Sequence, residues 1–185
     1  MMEKNYSLPE TMKIAQAEWN AVFGGMARLD MIQIPAGDPG SHLPDALLNI
    51  THSLSATAKQ WFPHVQIWLG PQEWAPSEME QWQTLVAQPG NTALLAGVVY
   101  GPHTSQNLTR FLAMEPTGLP VRLYPDITHS LNTQFPVPHW DRAFAITESR
   151  EVINPRPRQY AHIADLHLSS NPRICGFSSY SEVGS

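Results

Sequence analysis

The chain has 185 residues, 42% of them hydrophobic, enough for one domain with its own core. A formal net charge of −5 with 11 scattered Lys and Arg residues provides no basic stripe, which argues against a nucleic-acid partner. No apolar run approaches the roughly 20 residues that cross a bilayer, and "MMEKNYSLPE" lacks the charged and apolar regions of a signal peptide, so the chain reads as soluble, not membrane-bound and not exported, with its compartment unspecified.

In chain order, Ser7 offers an N-cap and Glu10 the acid of a capping box, and Ala15, Trp19, Val22 and Met26 form an apolar face, which predicts a helix closed by Gly24 and Gly25 or soon after. "LDMIQI" follows as a short strand ended by Pro35 and the "GDPG" turn. Residues 44–62 carry Leu47, Ile50, Leu54, Ala58 and Trp61 at helical spacing, and "HVQIWLG" is the next strand. The alternation continues with a helix over 77–88, a strand over 94–101, a helix over 105–114 and a strand over 120–126. Beyond a long aromatic loop come a helix near 158–168 and the last strand, "ICGFSSYS". The single cysteine, Cys175, lies in that strand, where it reads as a buried structural residue; one cysteine excludes an internal disulfide and a multi-cysteine metal site.

Five strands alternating with helices are the mark of βαβ units around a parallel sheet, an α/β fold. Neither GxGxxG nor a Walker loop follows a strand, and the glycines of "FGGMARLD" precede one, as a helix stop does. Two architectures remain: an open doubly wound sheet, and a (β/α)8 TIM barrel, which takes about 250 residues and of which five strands would be a part.

In both, function gathers where the parallel strands end. The five ends, "PAGDPGSH", "GPQEW", "YGPHT", "YPDITHS" and "SYSE", carry Asp38 with His42, Gln72 with Glu73, His103, Asp126 with His129, and Glu182. Each has a plainer reading. Asp38 fits an aspartate bonded to its own turn, Glu73 a solvated loop charge or a helix cap, and His103 and His129 packed imidazoles. Asp126 follows its strand directly, the placement that most favours a role in chemistry. Trp68, Trp74, Tyr100, Tyr124, Phe135, Trp140 and Tyr180 lie at or near the same rim. Aromatic faces beside carboxylates and amides suit a sugar ring, although Trp68 and Tyr100, inside strands, read as core.

"LDMIQIPAGDPG", "HVQIWLGPQEW", "AGVVYGP", "VRLYPDITHSLNTQFPVPHWDRAFA", "REVINPRPRQ" and "GFSSYSE" together resemble the carboxyl-terminal part of the catalytic domain of large bacterial glycoside-hydrolase-like proteins, related in architecture to the hexosaminidase and α-glucuronidase barrels. The resemblance runs from about Arg28 to Glu182. It implies a partial (β/α)8 barrel holding the fourth to eighth strands, with residues 1–185 forming a single domain, the later half of a catalytic domain. A glycine and further chain are expected after "YSE", whereas Val183 follows and the sequence stops at Ser185, the pattern of a fragment.

The implied function is hydrolysis or binding of glycosides, with a carbohydrate as partner and no cofactor or metal. Asp38 is the expected acid and Glu73 or Asp126 the base or electrostatic partner, while His103, His129, Trp140, Tyr180 and Glu182 contact substrate. Two rival readings stay open. One is a metal-dependent barrel hydrolase with His103, Asp126 and His129 as ligands, distinguished by metal analysis. The other is a non-catalytic partial barrel that binds sugar or self-associates through its open sheet edges, distinguished by light scattering.

Overall fold

The computed structural model describes residues 8–36, 42–72, 74–101, 104–114, 118–124 and 157–177. Strands β1 (Met31–Pro35), β2 (Gln66–Gly70), β3 (Gly97–Tyr100), β4 (Val121–Leu123) and β5 (Ile174–Phe177) form one sheet. All four pairings are parallel, and the spatial order is the chain order. The described helices are α1 (Leu8–Gly24), α2 (Pro44–Trp61), α3 (Pro76–Val86), α4 (Pro89–Leu94), α5 (Leu108–Met114) and α6 (Pro157–Ser170). A doubly wound sheet reverses its strand order at a switch point. Here no reversal occurs, and each strand pairs with its sequence neighbour as in a (β/α)8 barrel, of which this is a partial, open form.

The pairings sort alternate residues onto two faces, with one register shift between β4 and β5. Ile34, Leu69, Val98, Val121 and Ile174 form one cross-sheet row. With Ile67, Tyr100 and Leu123 they share a core with Phe23, Leu47, Leu48, Ala58, Met79, Trp82, Val86 and Phe111, so this face is the one the helices cover. Ring pairs tighten it: Trp74 lies 5.6 Å from Trp82 and Tyr100 5.3 Å from Phe111. The opposite face carries Gln33, Trp68 and Gly97 in one row, and Val99, Arg122 and Gly176 in the row above. All four residues of β3, "GVVY", are buried, as a parallel strand covered on both sides requires.

The structure departs from the sequence reading at several places. The stretch expected to start a strand at Leu94 instead ends α4, and β3 begins only at Gly97. Pro89 opens α4, where its missing N–H costs nothing. Side chains then fasten the helix to its neighbours: Asn91 Nδ2 donates to the Leu85 carbonyl at 2.9 Å, Thr92 Oγ1 to that of Val86 at 2.6 Å, and Asn91 Oδ1 lies 2.7 Å from His52 Nε2.

On α1 the inward stripe is Met12, Ala15, Trp19 and Phe23, while Val22 and Met26 are 58% and 39% exposed. Positions 22 and 23 differ by about 100° around a helix, so choosing Val22 rotates the stripe away from the core. Trp61 is 48% exposed rather than buried; its indole lies across Gly24 and donates to Asn20 Oδ1 at 3.1 Å, tying α2 to α1. Cys175 lies in its strand as expected but is exposed. The β4–β5 register shifts between Val121 and Arg122, leaving Cys175 as the extra residue of a bulge. The proposed N-cap, Ser7, lies outside the described residues.

Candidate functional site

The carboxyl ends of the strands are braced to one another. Ala36 N donates to the Gly70 carbonyl at 2.7 Å, and Trp74 Nε1 to that of His42 at 3.0 Å, so the segments after β1 and β2 are linked twice. Thr104 Oγ1 lies 3.1 Å from the Pro71 carbonyl and 2.8 Å from that of Gly101, joining the ends of β2 and β3. Tyr124 N donates to the Tyr100 carbonyl at 2.8 Å, which prolongs the β3–β4 ladder to the rim. The Tyr100 hydroxyl, buried, donates to the Gln106 carbonyl at 3.1 Å. Backbone and hydroxyl groups therefore satisfy one another along this edge, as buried polar groups must.

Asp38, Glu73, His103, Asp126, His129, Trp140, Tyr180 and Glu182 all lie outside the described residues. Of the neighbouring groups assigned to the rim, Trp74 is corrected to the core: it is buried against Trp82, with its N–H held by the His42 carbonyl. Gln72 is buried beside it in the chain. Tyr124 is half-buried at the rim next to Gly101, whose missing side chain leaves room for the ring. Tyr100 is core, as its place inside a strand implied.

A second set of residues gathers around Trp68, which the sequence reading took as core, with Met31, Gly97 and Arg122, which it did not single out. Trp68, although buried, packs on the face away from the helices. Its ring occupies the space beside Gly97; a Cβ there would overlap Trp68 and stand 2.6 Å from the Pro120 carbonyl. The Arg122 guanidinium carbon sits 5.0 Å from the Trp68 ring centroid, and Arg122 Nη1 donates to the Met31 thioether at 2.8 Å. β1 and β4 are three strand spacings apart, about 14 Å in a flat sheet. Two long side chains meeting across that span fit a face that curves inward, as the interior of a barrel-type sheet does. Among the described residues no group accepts a hydrogen bond from Arg122 Nε, which is buried. Among the described residues the one ion pair is Arg28 with Asp30, exposed and remote in kind from this site. The sequence signal is the glycines at 70, 97 and 176 in three strands: a Cβ at each would meet Val99, Trp68 and Arg122 respectively.

On the outer side, Asn107, Leu108, Leu112, Leu166, His167 and Ile174 line a groove of about 760 Å3 between α5, α6 and β5. Partial desolvation there lowers the His167 pKa from its ordinary value. Among the described residues no three His, Cys, Asp or Glu side chains converge on a common point, and no helix is long and apolar enough to cross a membrane. No family model matches the chain, and no curated protein is significantly similar to it.

Proposed function

We propose that the chain handles glycosides at the carboxyl-terminal rim of its sheet. The observation that carries this reading is the strand order: five parallel strands, adjacent in chain order, release their following segments from one edge. Those segments are the ones whose sequences hold the acids, imidazoles and aromatics named above. Asp38 is the proposed acid and Glu73 or Asp126 the carboxylate that meets developing positive charge, with His103, His129, Trp140, Tyr180 and Glu182 contacting the sugar. Tyr124, half-buried beside Gly101, adds an aromatic edge of the kind a sugar C–H face packs against.

The test is turnover of aryl glycosides by the purified chain and by Asp38→Asn and Asp126→Asn. Loss of a general acid or base lowers the rate by about 100-fold or more. Activity unchanged in both variants, each with a wild-type melting curve, removes these two carboxylates from the mechanism.

A further inference from the structure

We draw no further inference here: the strongest candidate, the groove between α5, α6 and β5 lined by Leu108, Leu112, Leu166, His167 and Ile174, is mainly apolar, and nothing in the structure shows what covers it.

Discussion

Two glycines show how differently the same residue is used. Gly118 has φ of 68°, with open space where a Cβ would be, so its need is conformational: Gly118→Ala is expected to cost about 1–2 kcal/mol of left-handed strain. Gly97 adopts ordinary strand geometry, and its need is steric, because Trp68 and the Pro120 carbonyl occupy the space. Gly97→Ala is expected to cost about 1–3 kcal/mol, from overpacking, and shortening Trp68 as well should recover only part, since the backbone carbonyl remains. Denaturant midpoints of the single and double variants check both statements. His167 adds a pH dependence. Its folded pKa lies below the ordinary 6.5, so the unfolded chain takes up the proton first. Stability is therefore fully present above that value and falls as pH drops from it toward the folded pKa. His167→Gln should flatten this slope in melts recorded across the window, and an unchanged slope would assign the effect elsewhere.

At the scale of elements, short strands and helices are held by their neighbours more than by their own propensity. Arg173, just before β5, illustrates it: Nη1 donates to the Leu112 carbonyl at 2.8 Å, and Nη2 to that of Leu119 at 3.2 Å, so one side chain closes the end of α5 against the approach to β4. α5 has only seven residues and no basic residue in its last turn, so this tertiary bond replaces a local one. Arg173→Met should lower global stability by about 1–3 kcal/mol, and hydrogen exchange should show α5 and β4 opening first. Similar logic explains what the sequence disclosed about elements. The alternation of strands and helices was legible because the apolar periods of β2, α2, β3 and α3 are strong and Pro or Gly separates them. α4 was not, because its six residues have no apolar stripe of their own and exist as a helix through bonds to α3 and α2.

Over the whole molecule, the sheet ends at β1 on one side and β5 on the other among the described residues. Parallel strands with free edges are templates for further pairing. If these edges pair with a second copy, static light scattering returns a mass above that of one chain; a monomer with a single cooperative melt removes self-association from consideration. The rim of strand ends follows from the parallel pairing of all five strands, and the unreversed order sets Met31 of β1 and Arg122 of β4 on one face of the sheet.

The sequence by itself determined the fold class, since period-two and helical apolar patterns are local and survive without knowledge of what they pack against. It also located the strand ends whose segments carry Asp38, Glu73, His103, Asp126 and Glu182. Only the tertiary structure decided between a doubly wound sheet and a partial barrel, because both have the same alternation and differ in which strands are neighbours. It alone also brought Met31, Trp68, Arg122 and Gly176 together, residues up to 145 positions apart in the chain, because the curvature that joins them belongs to the sheet as a whole and to no single strand.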